Sequence, residues 1–426
     1  MHHPLFFLRL LGLLIGVFAI AGCTTTPHTS HPTAKHETSD EVVMEKKIYR
    51  WLVCQQSGHG ILGNQEGETF SATYPNALAA ICFLHQGDVD HAEKIFRFFQ
   101  EHYEECFSTQ PGGFYQFWDT ASGEGHKDSD RWIGDNAWLL IALNYYRQRT
   151  GKQDFDGMRE GMARWLIGLQ DADGGIKSGF NKNGLMDSKS TEGNLDCYAA
   201  LVEHPAERAK VRKFLESQMW ISAEKRFKMG STCPDPAMDT SAWGVQSLGL
   251  EYAPTLNFAE KAFLRTCVAK ASGNTITAYS DFRDKDRIWL EGSGEMAVAW
   301  HVAGKHERAR RTLCELEKAS IPSKEFRDAA GIPCHTNNPA WETGADKIFI
   351  PSQAWFLFAA WEFNPMNPEQ KVVKVHVVQP GETLSKIAGY RHVYDDSSKW
   401  RKIFDANRAI LASANSIVPG QKLVIP

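Results

Sequence analysis

The sequence predicts a mainly α-helical protein in which six helical hairpins close into a double ring, followed by a small βααβ domain at the C-terminus. Three observations lead to this prediction. Apolar residues recur at helical spacing in twelve segments between residues 41 and 364, separated by Gly-, Pro- and Asp-rich loops. Consecutive segments alternate between strongly apolar and amphipathic composition. After Pro365 the pattern becomes that of a strand, two helices and a final strand.

The first 40 residues are expected to lie outside both domains. Residues 1–22 combine a weakly basic start with an apolar run of the length found in secretory signal peptides. The run ends in Ile20-Ala21-Gly22-Cys23, which resembles the bacterial lipobox. The resemblance implies that Cys23 becomes the acylated N-terminus of a lipoprotein, anchored in the cell envelope at the periplasmic face of the outer membrane. Residues 23–40 are rich in Thr, Ser, His and Pro, which predicts a flexible tether.

The ring is predicted over residues 41–365 from the alternation of two kinds of helix. Even-numbered segments are rich in Ala, Leu and Trp, whereas odd-numbered segments have one polar face. A helix that is apolar all round is buried, so the even segments should form an inner ring and the odd segments an outer one. The twelve segments cover about 41–55, 74–86, 88–105, 134–148, 154–170, 193–203, 205–219, 239–250, 256–272, 291–303, 305–320 and 351–362.

Such a double ring resembles the (α/α)6 toroid of six-hairpin glycosidases and related polysaccharide lyases. The resemblance is architectural, because no catalytic signature of a single family is matched. It implies a glycoside hydrolase. Two alternatives stay open: a non-catalytic glycan-binding or envelope-tethering protein, and a polysaccharide lyase. A lyase would need a tyrosine or histidine base and a cation for the uronate, for which Tyr74, Tyr115, His126 and Arg131 are available.

Acidic residues gather where the inner helices are predicted to begin, which is where the resemblance places the cleft. Glu192 and Asp196, like Glu291 and Glu295, are spaced i,i+4 on apolar helices. Like charges at this spacing share one helix face and repel. Each pair therefore predicts either a buried ion pair with an arginine or a polar cleft.

Asp135 and Glu291 are predicted to be the catalytic acid and base, with Glu295, Asp196 and Asp130 as reserves. Cleavage of a glycosidic bond needs one protonated and one ionised carboxyl on either side of it. Asp135 and Glu291 begin helices that are three hairpins apart in a ring of six, so they should face each other across the cleft.

Aromatic and basic residues near these acids are predicted to bind the substrate, because flat rings stack on sugar faces. Glycines beside the two acids, Gly134 and Gly292, would allow a substrate to approach closely. If the acids form buried ion pairs instead, Arg131 or Arg287 would be the partner. The predicted substrate-binding residues are Trp132, Trp138, Trp243, Trp289, Trp341 and Arg131.

The C-terminal residues closely resemble a LysM domain. The matching elements are Pro380-Gly381-Glu382-Thr383-Leu384, the pair Asn407-Arg408 and the final run from Pro419 to Pro426. The predicted boundaries are a linker at 366–372 and the domain at 373–426. The resemblance implies binding to peptidoglycan or other N-acetylglucosamine polymers in a shallow groove. The residues it implies for this groove are Gly381, Glu382, Thr383, Leu384, Asn415 and Ile417.

Composition excludes several other classes of protein. The formal net charge of −4 gives no sign of a basic stripe for nucleic acid. No Cys/His spacing typical of a metal site and no nucleotide-binding loop occurs, so neither a metal nor a cofactor is predicted. Cys233 and Cys334 lie in Pro-containing loops and are the most plausible disulfide partners if a disulfide forms.

Overall fold

The computed structural model describes residues 39–283, 286–337, 344–367, 374–390, 393–394, 396–408, 410–411 and 413–425. Cys23, the predicted signal peptide, the tether as far as residue 38 and Trp341 lie outside the described residues. No described helix combines the length and apolar character that crossing a bilayer requires.

Residues 39–367 form the predicted toroid of paired helices. Outer helices alternate with inner ones along the chain, and α4 is a short addition after α3. A π-helical turn at Leu215–Met219 extends α8, and a 3-10 turn at Leu250–Tyr252 follows α9. The helices are α1 (Ser39–Gln55), α2 (Thr73–Gln86), α3 (Val89–Glu101), α4 (Tyr103–Phe107), α5 (Ile133–Thr150), α6 (Asp156–Gly168), α7 (Thr191–Ala200), α8 (Pro205–Phe214), α9 (Met238–Leu248), α10 (Pro254–Phe263), α11 (Leu290–Val302), α12 (His306–Ala319) and α13 (Ile350–Ala360).

The inner ring consists of α2, α5, α7, α9, α11 and α13. Each inner helix packs against the next, and α13 packs against α2, which closes the ring. In this order α5 and α11 are opposite one another, as the helix count predicts. The outer helices α3, α6, α8, α10 and α12 each pack on the inner helix that precedes them. The fold class is therefore confirmed: apolar helices line the inside and amphipathic helices form the rim.

Short antiparallel strands decorate the loops between the helices. One prediction is wrong here: residues 264–268 form a strand rather than the end of a helix over 256–272. Burial alternates along this segment, and its partner Thr275–Tyr279 satisfies its backbone groups, which no longer need helical bonds. The toroid strands are β1 (Phe70–Ala72), β2 (Phe117–Asp119), β3 (Arg131–Trp132), β4 (Gly179–Asn181), β5 (Gly184–Met186), β6 (Trp220–Ile221), β7 (Arg226–Phe227), β8 (Leu264–Val268), β9 (Thr275–Tyr279), β10 (Ile321–Pro322) and β11 (Ala330–Gly331).

A polar side chain at the fourth position of five inner helices ties the helix start to its preceding loop. In α5, Asn136 Oδ1 accepts from the backbone N–H of Phe114 at 2.9 Å, and Asn136 Nδ2 donates to the carbonyl of Phe114 at 3.2 Å. Because a buried loop must satisfy its backbone groups, this repeated contact determines how each chain segment enters the centre of the ring. The equivalent residues are Asn76, Asn194, Ser293 and Gln353.

Residues 374–425 form a second, separate hydrophobic core. Its elements are β12 (Lys374–Val377), α14 (Leu384–Gly389), a 3-10 turn at Ser397–Lys399, α15 (Trp400–Ala406) and β13 (Lys422–Ile425). The two strands pair antiparallel, with His376 opposite Leu423. Asn407 Nδ2 donates to the carbonyl of Val424, and Asn407 Oδ1 accepts from its N–H, so the second helix is tied to the last strand.

No disulfide joins the described cysteines, including the predicted pair Cys233 and Cys334. Cys334 is buried and Cys233 is half-buried. Both act as small side chains that pack in loops.

Candidate functional site

The beginnings of the inner helices bring together side chains from separate parts of the chain. Six carboxyl groups belong to this set. They are Glu192, Asp239 and Glu291 at the second position of their helices, Asp135 at the third, and Asp196 and Glu295 at the sixth. The second residues of the six helices are Tyr74, Gly134, Glu192, Asp239, Glu291 and Pro351, and the sixth residues are Leu78, Trp138, Asp196, Trp243, Glu295 and Trp355.

Three tryptophans from the sixth positions meet below the helix starts. The ring centroids of Trp138 lie 5.5 Å from Trp243 and 5.7 Å from Trp355, and those of Trp243 and Trp355 lie 6.0 Å apart. All three side chains are buried. They form an apolar floor, and Tyr74, whose ring centroid is 5.5 Å from that of Trp138, lies next to it.

Tyr74 connects the two predicted catalytic residues. Its backbone N–H donates to Asp135 Oδ1 at 3.0 Å, and its hydroxyl donates to Glu291 Oε1 at 2.9 Å. The hydroxyl in turn accepts from the indole N–H of Trp355 at 2.8 Å. Asp135 and Glu291 are thus held on opposite inner helices, at the two ends of one tyrosine.

Burial raises the pKa of both carboxyls. It brings the pKa of Asp135 to about 7, although the N–H of Tyr74 and the side chain of Gln116 stabilise the charged form. It brings the pKa of Glu291 to about 8. Asp239 adds to this rise, and hydrogen bonds from Tyr74 and Trp289 oppose it. Glu291 is therefore mostly protonated at neutral pH, whereas Asp135 is ionised in a large fraction of molecules.

The remaining acids raise each other's pKa. Burial raises the pKa of Asp239 to about 6. Burial also raises the pKa of Glu192 well above the usual range, and the nearby Asp239 and Glu291 raise it further. Asp196 and Glu295 lie one helical turn deeper and are fully buried. Burial also raises their pKa values well above the usual range, and neither oxygen of Glu295 has a hydrogen-bond partner in the described chain.

The arginines proposed as ion-pair partners are engaged elsewhere. Arg131 donates to the carbonyls of Cys106, Gly112 and Gly113, and its guanidinium lies over the ring of Tyr115. Arg287 pairs with Asp281. The i,i+4 acids therefore do not form ion pairs with Arg131 or Arg287, and they belong to a largely buried cluster of carboxyl groups at the helix starts.

The predicted aromatic residues divide into two groups. Trp132 is half-buried and Trp289 is 8% exposed at the helix starts, where a ligand could reach them. Trp138 and Trp243 belong to the buried floor, a position that favours packing over stacking on a sugar. Asp130 is half-buried and close enough to Asp135 to raise its pKa further.

The glycines beside the acids make room for protein side chains. A Cβ added at Gly134 would lie 2.9 Å from Trp132 Cδ1 and 3.1 Å from Asp196 Oδ2. A Cβ at Gly292 would lie 2.2 Å from the methyl carbon of Met238. Packing against these neighbours is sufficient reason for both glycines, and close approach of a substrate to them stays a prediction.

The residues predicted for hydrolysis and substrate binding omit Tyr74, Glu192, Asp239 and Gln116, although the sequence offered Tyr74 as a base for a lyase and Glu192 as one of the i,i+4 acids. The first three share the second helical position with Glu291, so an alignment of the six helix starts would have found them. Gln116 lies in a loop and gave no comparable signal, because only folding brings it to Asp135.

The candidate glycan-binding residues of the C-terminal domain have different environments. Thr383 caps α14 by accepting from the N–H of Lys386, and Leu384 belongs to the buried core. Gly381 has a φ of +80°, which suits glycine. Glu382 is held by donors within the domain. Asn415 is exposed and Ile417 is half-buried. The loop that carries them is therefore the more accessible part of the predicted glycan-binding groove.

Comparison with known proteins separates the two regions. The toroid superimposes on a wild-type glycosidase with a TM-score of 0.60 at 11% identity, over 78% of this chain and 100% of that protein. It also superimposes on cellobiose 2-epimerase from Bacillus thermoamylovorans with a TM-score of 0.55 at 12% identity, over 74% of this chain and 97% of that protein. At such identities the likeness establishes the fold alone.

Comparison of the amino-acid sequence gives two further matches. Potassium binding protein Kbp of Escherichia coli O6:H1 is 43% identical over 132 residues, which is 29% of this chain and 87% of that protein. The LysM domain model matches residues 376–426. The chain thus joins a toroid with the fold of glycosidases and sugar epimerases to a C-terminal region through which it belongs to the LysM family.

Proposed function

We propose that the toroid is a glycoside hydrolase and that the LysM domain holds it on an N-acetylglucosamine-containing glycan such as peptidoglycan. The observation that carries the proposal is the arrangement around Tyr74. Two carboxyls on opposite inner helices bind the two ends of this residue, at 3.0 Å and 2.9 Å. Hydrolysis of a glycosidic bond uses two carboxyls on opposite sides of the bond, and Asp135 and Glu291 lie on opposite helices of the inner ring.

Glu291 is the general acid in this proposal. With a pKa of about 8 it holds a proton at neutral pH and can transfer it to the oxygen of the leaving sugar. Asp135 supplies the ionised carboxylate on the other side, because the Tyr74 N–H stabilises its charged form. The shift of Glu291 to higher pKa arises from burial and from Asp239, so the surrounding acids also contribute to catalysis by keeping the proton on Glu291.

The acid cluster favours a neutral sugar. Most of its six carboxyl groups hold their protons at neutral pH because burial raises their pKa values, while Arg131 and Arg287 are bound to backbone carbonyls and to Asp281. A uronate would therefore lack a counter-ion from either arginine. The same feature weighs against the polysaccharide lyase alternative, since a lyase must neutralise the uronate carboxylate.

The test is a reducing-end assay with the full chain on a panel of glycans that includes peptidoglycan, chitin oligomers, α-glucans and β-glucans. We expect release of reducing ends from at least one neutral glycan and none from polyuronates. The Asp135→Asn/Glu291→Gln double variant should bind the same glycan and release nothing. Asp90→Asn and Glu307→Gln are matched controls, because each replaces an exposed acid at the second position of an outer helix.

Failure of this test has a defined meaning. If the wild-type chain releases no reducing ends from any glycan but is retained on purified cell wall, the non-catalytic glycan-binding alternative replaces the hydrolase. If a product forms without chain cleavage, as with the epimerase whose fold it shares, analysis of the product by NMR will identify the change.

We also propose that the protein is a lipoprotein of the cell envelope, anchored through Cys23. The support is the Ile20-Ala21-Gly22-Cys23 sequence after an apolar run. Cys23→Ser should abolish lipid labelling and partitioning into detergent. Labelling that persists in this variant would refute the anchor and leave the hydrolase proposal unaffected.

A further inference from the structure

A second group of titratable side chains lies at the opposite ends of the inner helices. His301 is in the last turn of α11, His306 begins α12, and Glu362 follows the end of α13. One nitrogen or oxygen from each of the three side chains lies within 4.8 Å of the others. We propose that these residues bind a divalent transition-metal ion, with zinc as the best match, at the rim of the toroid away from the acidic cleft.

The spacing of the two histidines fits a shared metal. Their Nδ1 atoms are 3.2 Å apart. Two imidazole nitrogens bound to one tetrahedral zinc at about 2.0–2.1 Å lie about 3.3 Å from each other. The pair could also share one proton in a hydrogen bond, which is the simpler interpretation that an experiment must exclude.

The third residue shows that a carboxylate is placed here at some conformational cost. Glu362 has a φ of +54°, in the left-handed region that glycine favours after a helix. A non-glycine residue in this conformation is destabilising because its Cβ crowds the backbone. Its side chain adds the hard, anionic ligand that two neutral imidazoles lack, so the three donors form the His2Glu set found in zinc sites that keep one position for water.

The surroundings suit a small cation. A recess of about 240 Å³ opens between the three residues and is also lined by Val298, Val302, Phe363 and Asn364. The C-terminal ends of α11 and α13 both lie at this recess, and their carbonyls favour a positive charge. The N-terminus of α12 disfavours a positive charge there, but it is one helix end against two. A bound ion would link three consecutive toroid helices at their rim.

The inference is tested by measuring zinc binding to the full chain in competition with a chromogenic chelator, and by the absorption spectrum of bound Co²⁺. We expect one site whose affinity falls at least tenfold in His306→Ala and in Glu362→Gly. The Co²⁺ spectrum should show the intense visible bands of a four-coordinate site and lose them in both variants. His59→Ala, which removes an exposed histidine elsewhere on the toroid, should change neither measurement.

Glu362→Gly separates a metal ligand from a structural residue. Without metal this variant should be as stable as the wild type or more stable, because glycine tolerates the left-handed conformation. Zinc should raise the Tm of the wild type and not that of the variant. Equal zinc affinity in the wild type, His306→Ala and Glu362→Gly would overturn the proposal and leave a simple His–His hydrogen bond.

Discussion

Glu291 in the toroid and Glu382 in the LysM domain are the same residue type, yet their pKa values shift in opposite directions. Glu291 is buried, whereas Glu382 is half-buried. Each accepts a hydrogen bond from a tyrosine hydroxyl, Tyr74 at 2.9 Å and Tyr390 at 2.6 Å. The pKa of Glu291 is raised to about 8, whereas that of Glu382 is lowered.

The difference comes from the depth of burial and from the neighbours of each carboxyl. Burial raises the pKa of Glu382 too, but the Gln379 N–H and the His376 ring, both at 2.7 Å, join Tyr390 in stabilising the anion and outweigh that effect. Glu291 has Asp239 near it instead of a histidine. A raised pKa therefore needs deep burial without enough donors to offset it, and the charge and number of the contacting groups decide the direction of the shift.

The largest effect is expected from Glu291→Gln. Once a substrate is known, turnover should fall by about 10²–10⁴-fold, because the proton donor is lost. The free energy of unfolding should not fall, since a neutral amide replaces a carboxyl whose charge is disfavoured. Steady-state rates and thermal unfolding at pH 7 measure the two effects, with Glu307→Gln as the control. Near-normal turnover in Glu291→Gln would remove this residue from the mechanism.

Glu382→Gln should instead destabilise its own domain. It replaces an ionised acceptor bound by three donors, and hydrogen bonds to charged groups contribute about 1.5–3 kcal/mol each. Hydrogen exchange of the full chain followed by mass spectrometry should show faster exchange in residues 374–425 and unchanged exchange in the toroid. A domain as protected as the wild type would mean that this network has no net stabilising effect.

The two regions should respond to pH in opposite directions. In the toroid, the folded state keeps protons on Glu291 and Asp135 that the unfolded chain releases above about pH 4, because their folded pKa values are about 8 and 7. Its stability should therefore fall by several kcal/mol as pH rises from 5 to 8, because both folded pKa values lie far above the unfolded ones.

In the LysM domain the folded pKa of Glu382 lies below its unfolded value. Its contribution is present above pH 4.5 and is lost as pH falls through the folded pKa. Free energies of opening from hydrogen exchange, corrected for intrinsic rates, measure both regions in one sample. Glu291→Gln should reduce the pH dependence of the toroid only; the same direction of change in both regions would contradict the assignment.

The smallest effect is expected from removing the tyrosine hydroxyls. Tyr74→Phe takes a donor from Glu291, so the pKa of Glu291 should rise and the basic limb of the pH–rate profile should move to higher pH. The associated change in free energy is about 1 kcal/mol. Tyr390→Phe should raise the pKa of Glu382 by less, because two other donors remain. NMR titration of the glutamate carboxyl carbons would report both shifts.

Much of the architecture is a local property and could be predicted from the sequence by itself. The alternation of apolar and amphipathic segments, such as Ala137–Leu143 against Ala92–Phe99, determines which helices are inner and which are outer. The Pro-Gly-Glu-Thr-Leu turn and the final strand determine the LysM domain. Counting hairpins also placed Asp135 and Glu291 opposite each other. The sequence predicts a helix as far as residue 272, whereas residues 264–268 form the strand β8. This strand depends on its pairing with β9, which is a contact between two segments and leaves no helical or other local signal.

Only the tertiary structure decided what these residues can do. Tyr74 and Glu291 are 217 positions apart, so no local pattern joins them. The pKa values of the acids depend on burial and on groups from other helices, and the sequence left both an ion pair and a polar cleft open for them. His301 and His306 are close in the sequence, but Glu362 joins them only because α13 packs beside α11 and α12. Periodicity is determined by neighbours along the chain, whereas charge state and coordination are determined by neighbours in space.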